Sequence, residues 1–261
     1  MTRQQRLNQL LELLSAHGSL TIGDVVGSLG VSEATARRDI GTLATQRLLV
    51  RTHGGAAALG SAFELPLKYK IARQADAKLA IAQVASEMLR AGESVAINGG
   101  TTTTEVARAI GRRPDLDADA SITIVTNALN IAYEVSIRPN VAIVVPGGTA
   151  RSQSYELVGP LSDGVLDRIN IDTAIIGVDG ISADGGLTTI HPAEAKVSAD
   201  FVAAAARVMV VADATKIGQR TFARIAALEA VDVFVTDADV PEPLAGALSA
   251  AGVKVVVAPA A

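Results

Sequence analysis

The sequence predicts two unequal parts: an N-terminal all-α winged helix-turn-helix unit, and a larger α/β domain with a mainly parallel sheet. Three observations carry this. Three short amphipathic helical stripes with cap signals fill the first sixty of 261 residues. Six apolar strand candidates then recur 19 to 35 residues apart, the length of a strand plus a crossover helix. The charge divides at the same place. Six arginines (Arg3, Arg6, Arg37, Arg38, Arg47, Arg51) oppose four acids before residue 60, a net of +2, whereas the remainder of the −4 chain is acidic. A basic head on an acidic body suits a head that alone meets a polyanion.

Composition narrows the classes further. At 49% hydrophobic residues the chain can build a substantial core. Its longest apolar run, Phe201–Ala206, is far short of the ~20 residues of a membrane span, and Met1–Arg6 leads into spaced leucines with no signal-peptide core. No membrane partner and a cytoplasmic location are therefore expected. Cysteine is absent, which removes disulfides, thiolate metal sites and thiol catalysis. No two of the three histidines have metal-ligand spacing. Neither a metal nor a cofactor is expected.

The head is read in order. Leu7, Leu10, Leu11 and Leu14 form one helical stripe, stopped at His17-Gly18. Thr21 caps a second helix with Asp24 at the capping-box position, and Ile22, Val25, Val26 and Leu29 form its stripe. Gly30-Val31 turns the chain into a third helix capped by Ser32, with Ala36, Ile40 and Leu43 inward. Its outer face carries Glu33, Thr35, Arg37, Arg38 and Thr42. Leu48–Arg51 then enters a turn, Thr52-His53-Gly54-Gly55, read as a β-wing. Such a face offers side chains to base edges and arginines to phosphates. The same pattern also fits a capping subdomain with a solvated charged face.

Residues 1–57 are assigned to this head, 58–75 to a linker and lead-in, and 76–261 to the body. The body opens with a helix from Asp76, carrying Ile81, Val84, Ala85 and Met88 on one face. Strands are expected at Ser94–Asn98, Ile122–Thr126, Val141–Pro146, Thr173–Val178, Val208–Ala212, Val231–Thr236 and Lys254–Val257. Helices are expected at Thr103–Ile110, Leu129–Val135, Ala193–Arg207 and Pro243–Ala251.

Polar segments follow the strands: Asn98-Gly99-Gly100-Thr101-Thr102-Thr103-Thr104, Thr126-Asn127, Gly147-Gly148-Thr149-Ala150-Arg151, Gly177-Val178-Asp179-Gly180 and Asp213-Ala214-Thr215-Lys216. Ligands of open α/β sheets bind at such carboxyl ends. Any one of these segments is equally well an ordinary turn. Five at one sheet edge point to a small polar, phosphorylated ligand, with N–H groups and hydroxyls at a helix start for the phosphate. Asp179 and Asp213 suit sugar hydroxyls, and Lys216 an anion. No P-loop or dinucleotide fingerprint is present.

The residues also carry a resemblance. Ser32-x-x-Thr35-x-Arg37-Arg38-Asp39, joined to Arg51-x-His53-Gly54-Gly55-Ala56, resembles the signature of the DeoR family of bacterial transcriptional regulators. The usual Ile before Arg-Arg is Ala36. The strand-end segments above, with Gly186-Leu187-Thr188-Thr189 and Glu194-Ala195, are similar in order to that family's sensor domain. The sensor in turn resembles ribose-5-phosphate isomerase and glucosamine-6-phosphate deaminase in fold. The resemblance implies a repressor of carbohydrate genes, released from double-stranded operator DNA by a phosphorylated sugar, acting as a homodimer or homotetramer.

It implies DNA contacts from Ser32, Glu33, Thr35, Arg37, Arg38, Arg51 and His53. Effector contacts are implied for Lys70, Lys78, Asn98, Gly99, Gly100, Thr101, Thr102, Thr103, Asn127, Gly148, Arg151, Asp179, Glu194, Asp213 and Lys216. No catalytic residue is expected. In the sensor domain two further positions depart from the family's pattern: Asn98 stands for an Asp, and Ser198 for a Lys. An enzyme with an appended head is the alternative, although no His/carboxylate pair supports it. An interaction adaptor is a third. His191-Pro192 fits either a helix start or a phosphate contact, and His17 a helix end. Tyr69 and Tyr155 fit an interface or the pocket mouth. Ser162-Asp163, Asp115–Asp119 and Asp237–Asp239 read as solvated loops.

Overall fold

The computed structural model describes all residues except 47, 59–65, 71–72, 117–120, 163 and 260–261. The chain forms two compact units, Met1–Arg73 and Gln74–Ala261. Half of the expected linker, 59–65 and 71–72, lies outside the described residues, as do Arg47, Asp117, Asp119 and Asp163.

The first unit runs α1 (Arg3–His17), β1 (Ser19–Thr21), α2 (Ile22–Leu29), α3 (Glu33–Thr45), β2 (Val50–Thr52), β3 (Gly55–Ala57) and α4 (Leu67–Lys70). The three stripes meet in one core: Leu7, Leu10, Leu11 and Leu14 pack with Ile22, Val25, Leu29, Ala36, Ile40 and Leu43. Leu10, Val25 and Leu43 have no accessible surface, and truncating such a leucine to alanine costs about 2–5 kcal/mol. The caps lie where the sequence places them. Thr21 and Asp24 exchange a reciprocal capping box, Gly30 ends α2 in the left-handed region at φ 62°, and Ser32 caps α3. Each such side-chain cap contributes about 1 kcal/mol.

The wing is a three-stranded antiparallel sheet, ordered β1-β3-β2. Leu48 and Leu49, expected to begin the wing strand, instead dip into the core ahead of β2. The third strand, β1, was not expected from the sequence. Three residues are too few for a periodic signal.

The second unit begins with α5 (Ala75–Glu87), β4 (Ser94–Ile97), α6 (Thr101–Gly111), β5 (Ile122–Thr126), α7 (Leu129–Val135) and β6 (Val141–Val144). It continues with β7 (Thr149–Ala150), β8 (Leu157–Val158), β9 (Ile171–Gly177), β10 (Gly180–Ser182), β11 (Gly186–Thr189), α8 (Pro192–Ala204) and β12 (Ala205–Val211). It ends with β13 (Ala223–Ala226), β14 (Val233–Thr236), α9 (Leu244–Ala250) and β15 (Lys254–Val257). Seven strands pair in parallel in the order β15-β14-β12-β9-β4-β5-β6.

Both faces of this sheet are covered, which is why its strands read as unbroken apolar runs. Val95, Ile97 and Ile124 face a layer with Ile81, Ala85, Val106 and Ile131. Ala96, Ala174 and Ile176 face the layer containing Phe201 and Leu244. The helix expected over Ala193–Arg207 ends at Ala204, and Ala205 opens β12 opposite Ile171. A run without period does not mark where helix gives way to buried strand. Arg207 belongs to the strand and reaches Thr173 (2.8 Å) and Glu93 (3.4 Å). A small antiparallel sheet, β10-β11-β13, is also new relative to the sequence reading.

Strand order reverses once along the sheet. From β4 the chain steps outward through β5 and β6. It then returns to the opposite side of β4 as β9 and proceeds outward through β12, β14 and β15. The order reverses between β4 and β9, whose carboxyl ends lead into Asn98 and Val178-Asp179; open α/β sheets bind ligands at such a reversal.

Candidate functional site

In the first unit, α3 divides its polar residues by direction. Arg37 and Arg38 point outward and are exposed. Arg37 has only a loose i, i+4 pair with Glu33 at 3.4 Å, which solvent screens to little net energy. Asp39, one residue further round the helix, is 1% exposed and held by Arg6 Nε at 2.5 Å and Nη2 at 3.3 Å. Arg3 Nη2 donates to Thr42 Oγ1 at 3.0 Å. Two arginines of α1 thus brace α3 while its own two remain outside.

Ser32 and Thr35 serve the cap: Thr35 N donates to Ser32 Oγ at 3.3 Å, and the hydroxyls are 3.0 Å apart. Arg51 and His53 are exposed on the wing, whose turn is His53-Gly54 between the paired Thr52 and Gly55. Gly55 is required by contact: a Cβ there would stand 1.9 Å from Leu20 O. Ile22 N donates to Gly54 O at 2.9 Å, tying the turn to the start of α2. The seven residues assigned to DNA all lie on α3, its cap or the wing, and the arginines and His53 face solvent.

In the second unit, Asn98 spans the reversal point. Gly177 N donates to Asn98 Oδ1 at 2.8 Å, and Asn98 Nδ2 donates to Gly177 O and to Ser198 Oγ, each at 3.0 Å. Both Nδ2 protons have acceptors within the protein. Beside it, α6 starts at Thr101 behind Gly100, with no side-chain cap over its first N–H groups. The hydroxyls of Thr103 and Thr104 turn back to Gly100 O.

The short β7–β8 hairpin supplies a wall. Gly148 lies at its start with φ 129°, and a Cβ there would meet Val158 N at 2.8 Å. Arg151 N donates to Glu156 O at 2.9 Å and Tyr155 N to Arg151 O at 2.8 Å, closing a turn in which Tyr155 adopts φ 62°. Arg151 pairs with Glu194 of α8 at 2.9 Å, and Ser154 Oγ donates to the same carboxylate at 2.5 Å. Glu156 leans over Gly99 and accepts from Asn127 Nδ2 at 2.9 Å. Neither Ser154 nor Glu156 was singled out from the sequence, since neither belongs to a motif with a mechanism.

Asp179 accepts from Thr189 Oγ1 at 2.9 Å and Ile190 N at 3.4 Å, with Lys216 Nζ at 4.0 Å. Asp213 is 3% exposed and caps the turn Ala214–Lys216 by accepting from Thr215 N at 3.0 Å. Lys78 is 4% exposed on α5. Lys70 ends α4 in the first unit, so the α/β unit by itself does not gather it with the others. His191 is a helix-start residue: its Nδ1 accepts from Ala193 N at 3.2 Å. Burial first, then the charge of Arg151, holds its pKa below the usual imidazole value. A separate cavity of about 340 Å³ is lined among others by Pro146, Leu166, Asp200 and Phe201. Of the expected effector residues only Asn127 borders it. Among the described residues no cluster of His, Asp or Glu is arranged to hold a metal, and no helix is long and apolar enough to cross a membrane.

Comparison with known proteins agrees with this division. The DeoR-like helix-turn-helix domain matches residues 6–62, and the DeoR C terminal sensor domain matches residues 73–238. The chain is 35% identical to the HTH-type transcriptional regulator GlpR of Haloferax volcanii, covering 98% of each chain. It is 31% identical to the glycerol-3-phosphate regulon repressor of Escherichia coli K12, covering 92% of this chain and 93% of that one. A putative aga operon transcriptional repressor of Escherichia coli O157:H7 is 29% identical over 97% of this chain and 93% of its own. Among solved structures, ribose 5-phosphate isomerase A of Methanocaldococcus jannaschii aligns with a TM-score of 0.41 and 16% identity, over 55% of this chain and 54% of that one.

Proposed function

Because the chain belongs to the DeoR family of transcriptional regulators, we propose that it represses carbohydrate catabolism genes and that a phosphorylated sugar or related metabolite controls its hold on operator DNA. The observation that carries this is the pairing, in one chain, of a head exposing Arg37, Arg38, Arg51 and His53 with a polar crevice at a strand-order reversal. In this reading α3 enters the major groove and the wing follows the adjacent backbone. Arginine–phosphate contacts supply most of the affinity. One head is small and only weakly basic, so two or more on a homodimer or homotetramer raise the effective concentration. Relatives named as repressors of the glycerol-3-phosphate regulon and of an aga operon support the carbohydrate assignment.

We place the effector over Gly99–Thr103, between Asn127, Gly148 and Arg151 on one side and Asp179, Glu194, Asp213 and Lys216 on the other, with Lys78 from α5. The enzyme alternative is disfavoured by how the carboxylates are used. Asp179 accepts from Thr189 and Ile190, Glu194 holds Arg151 and Ser154, and Asp213 caps a turn. A general base needs an acceptor within reach of the substrate proton and a pKa suited to receiving it.

The test is fluorescence anisotropy of the full chain on its own upstream DNA, with phosphorylated sugars, polyols and aldonates added in turn. At least one should shift operator affinity about 10-fold, within the usual range of allosteric coupling. Lys216→Ala should keep DNA affinity and lose that shift. Indifference to every ligand, or rapid turnover of a phosphosugar, would defeat the proposal.

A further inference from the structure

Tyr69, which by sequence fits an interface or a pocket mouth, lies in the core of the head. It is 2% exposed and packs in the cluster that holds Leu10, Ile40 and Leu43. It belongs to α4, a single turn closed by Tyr69 N donating to Pro66 O at 2.9 Å. In the chain it stands beyond the wing, between the residues matched by the helix-turn-helix domain, 6–62, and those matched by the sensor domain, 73–238. The compact first unit nevertheless includes it and runs on to Arg73, whose Nε is 3.8 Å from Glu12 of α1.

The Tyr69 hydroxyl donates to Gln46 Oε1. Gln46 is the C-cap of α3, and its own N–H closes the last turn on Thr42 O at 3.1 Å. Asp39, Thr42 and Gln46 are spaced i, i+3, i+7, along one face of that helix. All three are held from elsewhere in the head: Asp39 by Arg6, Thr42 by Arg3 and Gln46 by Tyr69. Apolar packing against Ala36, Ile40 and Leu43 holds α3 down without direction. Hydrogen bonds along a second face add direction, and so fix how far the helix rolls. Two of these braces come from α1, whereas the one at the far end of α3 comes from α4.

We propose that Tyr69 is a positioning residue for operator reading: through Gln46 its hydroxyl sets the C-terminal end of α3, so that discrimination between operator and other DNA depends on a residue outside the helix-turn-helix itself. The proposal rests on the docking of α3 given above and adds to it a buried residue that meets no DNA. Base edges are read only by a helix held in register, whereas attraction to phosphates tolerates a small roll.

The test uses the full chain, a duplex enriched from a random pool by the wild-type protein, and a scrambled duplex of the same composition. Tyr69→Phe keeps the ring in the core. It should weaken the enriched duplex about 5-fold, the loss of one hydrogen bond, and leave the scrambled duplex within about 2-fold. Gln46→Met, at an exposed position, should do the same and carries the test should Tyr69→Phe fail to fold. The double variant should be no worse than either. A role in head stability alone would lower the melting temperature and keep the ratio of the two affinities. That unchanged ratio in both variants overturns the proposal, as do additive losses, which would place Gln46 itself on DNA. Arg37→Ala with Arg38→Ala, on the same duplexes, tests the docking beneath it. If that pair weakens binding while Tyr69→Phe and Gln46→Met change nothing, the docking stands and the proposal falls. If no variant changes binding, or the wild-type protein enriches no sequence, both fall.

Discussion

Asn98, just past β4, donates a buried hydrogen bond to Ser198 of α8 at 3.0 Å. These are the two sensor-domain positions that differ from the DeoR pattern, a hundred residues apart, and they touch. An acid and a lysine facing each other there would form a buried pair. The neutral amide and hydroxyl replace both charges together, so neither is stranded.

The double exchange should therefore be coupled. Asn98→Asp alone puts an uncompensated carboxylate against Gly177 O in a buried site, at a cost on the order of 3 kcal/mol. Asn98→Asp with Ser198→Lys should recover about 1–3 kcal/mol of that loss. Urea unfolding of the four proteins checks it, and strict additivity would show that the two positions act independently.

Replacing Arg37 and Arg38 together by alanine should weaken operator binding and make the logarithmic salt dependence shallower by about two, one contact each. Both side chains are exposed, so thermal stability should change little. Unchanged affinity would mean that another face of the head meets DNA.

Asp39 acts from inside. It anchors α3 to Arg6 of α1 and cannot itself reach a duplex. Asp39→Ala and Arg6→Ala should each lower operator affinity about 10-fold, and the double variant should be little worse than either, because the two residues act as one unit. Independent, additive losses would show that Arg6 contacts DNA directly.

Acidification should loosen the start of α8. Burial and Arg151 keep the His191 pKa down, so the unfolded chain, with an ordinary value near 6.5, takes up the proton first. The stability this group contributes is complete above that value and is lost as pH falls through its lower folded value. His191→Asn, which keeps a good N-cap, should flatten the fall in melting temperature between pH 7 and pH 5. An identical fall in both proteins would assign the acid sensitivity to other groups.

The architecture was legible where pattern and physics coincide. The three leucine and isoleucine stripes, the caps at Thr21 and Ser32, and the strand Lys254–Val257 stand where the periodicity places them. Legibility failed where signals were short or ambiguous. Ser19–Thr21 is too brief to show alternation, and Ala203–Val211 is apolar but for Arg207, so its sequence does not mark where α8 gives way to β12. Gly177–Gly180 reads as a ligand segment and Gly186–Thr189 as part of the family's sensor pattern, yet Gly180–Ser182 and Gly186–Thr188 also pair as a hairpin. Among the site residues, glycine-rich and charged motifs drew notice because their chemistry is known in advance. Glu156 and Ser154 have no such label, and only the turn that folds Arg151 back on Glu156 brings them to the crevice. Asp39 was visible as part of a motif, but its inward direction depends on Arg6, thirty-three residues earlier.

The clasp that Asn98 makes on Gly177 has a mechanical consequence. It fastens the tips of β4 and β9 with two hydrogen bonds at the very seam where an open sheet is easiest to part. The floor beneath a guest molecule is in that sense stapled shut. The neighbouring hairpin is tied down differently, by Asn127 at its base and by the carboxylate of Glu194 that Arg151 and Ser154 share, so it can shift without parting the sheet.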